Sequence, residues 1–221
     1  MSKFLNPTIT VDIVIFTIEE GNLKILLINR DNEPFKGAWA LPGGFLHEGE
    51  TSKKAAQRIL KEKAGVSAVY IEQLYTFDKP SRDPRGPVFS VSYFALVPPE
   101  EIKIKETGTT QHPKLYSIEE LPKLGFDHNE IIQYAIKRIQ AKLEYTNAAY
   151  SLLPKFFTFS QLQKTYEAIF DKKFDKRNFQ KKFLQIGLIK KVAKKSTGGK
   201  QRPAQLYSFV STDPNELKKF F

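Results

Sequence analysis

Residues 44–66 read GFLHEGETSKKAAQRILKEKAGV, and this stretch decides the fold. A helical pattern runs from Thr51 to Ala64, and Gly65 stands where a left-handed C-terminal cap belongs. Glu50 precedes the helix and Arg58 lies inside it. Ile59, Glu62 and Lys63 are spaced i, i+3 and i+4, so a helix gathers them into one patch. Upstream, Thr8–Ile18 and Leu23–Ile28 are β-branched and apolar, with Glu19–Asn22 between them as a hairpin turn. Downstream, strands are expected at Tyr70–Phe77 and Val88–Val97, and a helix at Asn129–Leu143. Alternating strands and helices of this length predict an α/β (α+β) domain.

The 221 residues, 41% hydrophobic with 27% charged, fit one large or two small domains and exclude a disordered chain. No run reaches the ~20 apolar residues of a membrane span. The N-terminus carries no targeting pattern, so a cytoplasmic location is expected. The absence of cysteine excludes disulfides, thiolate metal sites and cysteine nucleophiles.

Charge is segregated. Residues 151–221 hold 16 Lys and Arg against 5 Asp and Glu, the whole of the net +11. A Lys-rich solubilising surface would account for the total, and so would a face that meets polyphosphate. Organisation favours the second. Thr158 and Gln161 have capping-box spacing ahead of an apolar helix, and a short turn leads to a second helix with Asp175 as N-cap and Gly187 as its end. Phe179, Phe183 and Ile186 face inward there, while Arg177 and Lys181 face outward. Two short strands, Leu188–Val192 and Gln205–Phe209, flank a basic hairpin tip. This is the layout of a winged helix-turn-helix. Glu144–Ser151 reads as a linker, which sets expected domains at 1–146 and 147–221.

The opening stretch resembles the Nudix box, G-x5-E-x7-R-E-U-x-E-E-x-G-U, matching at Gly44, Glu50, Arg58, Leu60, Glu62, Gly65 and Val66. The resemblance implies a Nudix fold in which Glu50 and Arg58 brace the loop against the helix. It also implies that carboxylates at the positions of Ile59, Glu62 and Lys63 would hold magnesium for attack on a pyrophosphate. Only Glu62 is a carboxylate here. Magnesium needs oxygen ligands to offset substrate phosphate, and the Lys63 ammonium opposes it by on the order of 4 kcal/mol at ~4 Å and an effective dielectric of ~20. No metal and no catalytic residue are therefore expected. His47 and Glu48 are the loop side chains that a displaced catalytic site would recruit; otherwise they are solvated.

A cleft without metals still binds. Trp39 and Phe45 offer aromatic faces for a base or sugar, unless Trp39 plugs the core. Arg30, Arg82 and Arg85 offer forked donors for a pyrophosphate, unless Arg82 and Arg85 pair with Asp83 inside the SRDPRG loop. On the second helix Lys176, Arg177, Asn178, Lys181 and Lys182 are expected at the major groove. Lys194, Lys195, Lys200 and Arg202 on the wing are expected at phosphates or the minor groove.

With GAWALPGGF, YIEQLYTF, SRDPRG, Phe126–His128 and the run from Leu152 to Tyr207, the chain resembles the NrtR-type transcriptional regulators. That resemblance implies a homodimeric repressor of NAD-biosynthesis genes that binds a palindromic duplex and releases it on sensing ADP-ribose. A sugar-responsive branch (arabinose-type) and an active hydrolase of ADP-ribose-like substrates share parts of this pattern. The arginines suit an anionic effector better than a neutral sugar.

Overall fold

The computed structural model describes residues 6–67, 70–103, 112–195 and 203–213. They form two compact units: the described residues up to Thr17 together with Lys24–Ile136, and Ile18–Leu23 together with those from Lys137 onward. No helix among the described residues is long and apolar enough to cross a membrane.

The first unit is built on a mixed seven-stranded sheet. Its strands are β1 (Thr8–Glu19), β2 (Asn22–Asn29), β3 (Trp39–Ala40), β4 (Gly43–Phe45), β5 (Tyr70–Phe77), β6 (Val88–Leu96) and β7 (Pro113–Ser117). The order is β3-β2-β1-β6-β5, with β4 paired to β1 and β7 to β2. β1 and β6 run parallel and the pairing of β4 with β1 is antiparallel. Glu20 and Gly21 both take positive φ (55° and 82°), the turn geometry that suits a tight hairpin. The four long strands fall where alternation and β-branching place them. β3, β4 and β7 were not expected, because two to five residues with Pro and Gly carry no periodic signal.

Helix α1 (Ser52–Ala64) packs Ala55, Ala56, Ile59, Leu60 and Ala64 against Val11, Ile13, Ile15, Tyr93 and Ala95. Thr51 accepts from the Lys54 amide to cap its start, and Gly65 ends it at φ 68°. A side chain at Gly65 would meet the Lys103 carbonyl at 2.8 Å, so the cap requires glycine twice over.

Helix α2 (His128–Tyr145) begins in the first unit and ends in the second. The expected division after residue 146 differs from this one, since the units divide inside α2. The expected linker is also ordered structure: residues 148–152 form a 3₁₀ turn, and Thr146, Asn147, Ala148 and Ala149 are buried. Polar side chains replace the missing period. The Thr146 hydroxyl donates to the Lys142 carbonyl (2.8 Å), and the Asn147 amide donates to the carbonyls of Ser211 and Asp213 (3.1 and 2.9 Å).

The rest of the second unit contains β8 (Phe157–Thr158), α3 (Phe159–Phe170), α4 (Lys176–Ile186), β9 (Ile189–Lys195) and β10 (Gln205–Phe209), with strand order β8-β10-β9. Thr158 and Gln161 form a reciprocal capping box, and Asp175 caps α4 through the Asn178 amide (2.9 Å). Buried Phe159, Tyr166, Phe179 and Phe183 pack ring against ring between the helices. This is a winged helix-turn-helix core.

Candidate ligand cleft and nucleic-acid face

The first unit holds a cleft of about 370 Å³ between the ends of β1, β2 and β4, the SRDPRG loop and the start of α2. Its floor is a buried polar cluster centred on Asp12. The Ser90 hydroxyl donates to Asp12 Oδ2 (2.6 Å) and lies 2.9 Å from the Ser92 hydroxyl. Arg82 Nη2 lies 3.6 Å and His128 Nε2 3.9 Å from the same carboxylate. Gly43 is opposite Asp12 in the β1–β4 pair, and a Cβ there would come within 2.2 Å of Asp12 Oδ1. Glycine is thus required for the acid to fit.

His128 is buried, and its Nδ1 accepts from the Leu41 amide (2.9 Å), which leaves the proton of the neutral ring on Nε2. Burial pushes its pKa below the ordinary value, against the partial opposition of Asp12 and Asp127.

The three arginines meet at this cleft with different commitments. Arg82 is buried and makes a bidentate pair with Asp127 (2.9 and 2.7 Å), not with Asp83. Its Nε and Nη2 are committed to holding the cleft together. Arg85 pairs with Asp83 (2.9 and 2.6 Å), as the intraloop alternative expects. Burial would raise the Asp83 pKa, but hydrogen bonds from Arg85 and the charge of Arg82 outweigh it and hold the carboxyl low. The Arg85 guanidinium, still 39% exposed, also sits over the rings of Phe45 (5.3 Å) and Phe126 (5.7 Å). Arg30 donates to two main-chain carbonyls, Pro34 (2.8 Å) and Asn32 (3.2 Å), and lies 4.8 Å over Phe126. Its pKa is lowered by burial first and by the Arg85 charge second.

Trp39 does not line the cleft. It stands on β3 and packs edge-on against Tyr116 at 4.9 Å, because its place opposite Asn29 sends the ring to the β7 side. Phe126 takes its place, edge-on to Phe35 at 4.8 Å, with both residues at positive φ (56° and 64°). Strain of this kind concentrates where a site over-determines the backbone. Sequence reasoning missed Asp12, Phe126 and His128 as site residues; a lone acid inside an apolar strand was the available signal.

At α1 the brace is present and the metal cage is not. Arg58 makes a bidentate pair with Glu50 (2.9 Å twice) and donates to the Phe45 carbonyl (3.0 Å). The Arg58 hydrogen bonds hold the Glu50 carboxyl down at about 2, against its desolvation. Ile59 is buried in the core. Glu62 is half-exposed and turned to Arg58 at 3.7 Å, and Lys63 lines the cleft. One exposed carboxylate beside two cations does not suit a divalent ion. Among the described residues no three His, Asp or Glu side chains converge on a common point.

On α4, Arg177 and Lys181 are exposed on the side away from Phe179 and Phe183, with exposed Asn178 and half-buried Lys182 on the flanks and exposed Lys176 in the first turn. The helix therefore presents one basic, hydrogen-bonding surface. The backbones of Lys194 and Lys195 end β9, while Lys200 and Arg202 lie outside the described residues.

The NUDIX domain model matches residues 7–135, and the model of the NrtR DNA-binding winged helix domain matches residues 149–209. The chain is 37% identical to the ADPR responsive transcriptional repressor NtrR of Acinetobacter baylyi, over 96% of this chain and 86% of the relative. This chain belongs to the NrtR family. Shewanella oneidensis NrtR complexed with a 27mer DNA superposes with a TM-score of 0.81 at 35% identity, covering 91% of this chain and 93% of that one. The NUDIX domain of the same NrtR, complexed with ADP ribose, matches 62% of this chain and 90% of that one at 38% identity and TM-score 0.55. An ADP-ribose pyrophosphatase of Methanocaldococcus jannaschii is 41% identical over 59% of this chain and 73% of its own length.

Proposed function

We propose that this NrtR-family member is a DNA-binding transcriptional repressor that senses ADP-ribose in the cleft and does not hydrolyse it. The observation that carries this reading is the patch at α1, where Ile59 is buried in the core and Lys63 faces the cleft, so the pocket has a cationic lining in place of a metal cage. Arg30, Arg85, Phe45 and Phe126 supply charge and aromatic surface for a nucleotide diphosphate. Arg82 acts as a positioning residue through Asp127. Magnesium has no part in this scheme.

DNA is read by α4, with Arg177, Asn178 and Lys181 at base edges, Lys176 and Lys182 at phosphates, and the basic wing alongside. The repressor acts in the cytoplasm as a homodimer on a palindromic operator of NAD-biosynthesis genes. ADP-ribose binding favours the arrangement that cannot engage both half-sites.

Incubation of the full chain with ADP-ribose and magnesium or manganese, followed by chromatography for AMP, tests the loss of hydrolysis. No AMP above background is expected. Turnover at about 1 to 1000 per second would reverse the reading in favour of an active pyrophosphatase.

A further inference from the structure

We infer that Lys63 is a built-in counter-cation for a ligand diphosphate, occupying the role that a divalent ion fills in hydrolases of this fold. The inference deepens the proposed function, since it says how the same cleft neutralises its ligand.

The cleft has four cationic side chains, and their commitments differ. Arg82 is paired with Asp127 beside Asp12, and the charge of Arg85 is balanced by Asp83 although its guanidinium stays part-exposed. Arg30 gives Nε and Nη2 to neutral carbonyls and is paired with no carboxylate among the described residues. Lys63 lines the cleft with no ion pair or hydrogen bond among the described residues. It belongs to the last turn of α1, which is pinned by the Gly65 cap two residues on and by Ile59 and Leu60 in the core. The lysine is thus a half-buried charge on a rigid element, aimed into a pocket and without a protein partner. An ammonium so placed keeps its donors open to an anion in the cleft.

Three carboxylates also line the cleft: Asp12, Glu33 and Asp83. Asp12 and Asp83 are engaged by serine and arginine donors, so they do not draw in a metal. The anion that Lys63 and Arg30 together fit is a dianionic diphosphate, with Phe126 beside Arg30 for an attached ring. Recognition on this plan needs no metal ion.

Titration calorimetry of the full chain, with ADP-ribose and with inorganic pyrophosphate, each in EDTA and in magnesium, provides the test. The parent is expected to bind ADP-ribose equally in both buffers. Lys63→Ala should lose about tenfold or more in affinity, and Lys63→Arg should stay close to the parent. Since Lys63 is off the core, both variants should melt with the parent, which separates lost binding from lost fold. Binding by the parent that vanishes in EDTA, or a Lys63→Ala affinity equal to the parent's, would overturn the inference and leave ADP-ribose as the ligand. Lys63-dependent binding of pyrophosphate without any binding of ADP-ribose would keep the inference and overturn the reading. A parent that binds neither ligand would overturn both.

Discussion

Single side chains decide what this cleft can hold. Gly43 leaves room for Asp12 and nothing more, so Gly43→Ala should destabilise the chain by about 1–3 kcal/mol, read from the urea midpoint. Arg82→Ala would strand Asp127 and Asp12 in a buried place, at a cost of about 3–5 kcal/mol in the same assay. His128 gives a pH dependence whose sign follows from its lowered folded pKa. The unfolded chain takes up a proton near pH 6.5 and the folded chain does not. Stability is complete above that pH and is lost as pH falls from 6.5 toward the depressed folded value. In His128→Asn, whose side-chain oxygen can still accept from the Leu41 amide, the midpoint should fall less on acidification over this window. Equal pH slopes in parent and variant would contradict the role given to burial. Little of this was legible in the sequence. Asp12, Asp127 and His128 lie in three distant segments, and their meeting depends on the β1–β4 register and the start of α2, neither of which any local period encodes. Arg82 lines the cleft, but its partner could not be read, because Asp83 is adjacent in sequence whereas Asp127 is adjacent only in space.

Elements were far easier to read. Long strands with β-branched runs and helices with capping residues announce themselves locally, and Thr158, Asp175, Gly65 and Gly187 all stand at the caps that their chemistry predicts. The failures were short or irregular: β3, β4, β7 and the buried segment at residues 146–149, where side-chain hydrogen bonds do the work of a period. Trp39 shows the same limit, since its face of the sheet depends on a two-residue strand. At this scale α4 makes the sharpest prediction. Arg177→Ala should weaken binding to a duplex selected by the protein from a random pool by about 1–3 kcal/mol. Lys181→Ala, at a second base contact, should weaken it by a similar amount. Both residues are exposed and opposite the aromatic core, so the fold should persist by circular dichroism. Unchanged affinity in both variants would remove α4 from the interface.

For the whole molecule, the central claim is that one chain pairs a cleft that binds without cutting with a domain that grips DNA. Charge follows the same division, with all the excess cation in the last third of the sequence. The switch needs the ligand to favour the DNA-incompetent arrangement by about 1–3 kcal/mol, a modest coupling. Fluorescence anisotropy of a labelled duplex, titrated with ADP-ribose in EDTA, measures it directly. Duplex affinity should fall about 5- to 150-fold as ADP-ribose saturates the cleft, with the nucleotide recovered intact afterwards. Affinity that holds steady at saturating ADP-ribose, or recovery of AMP in its place, would contradict the account.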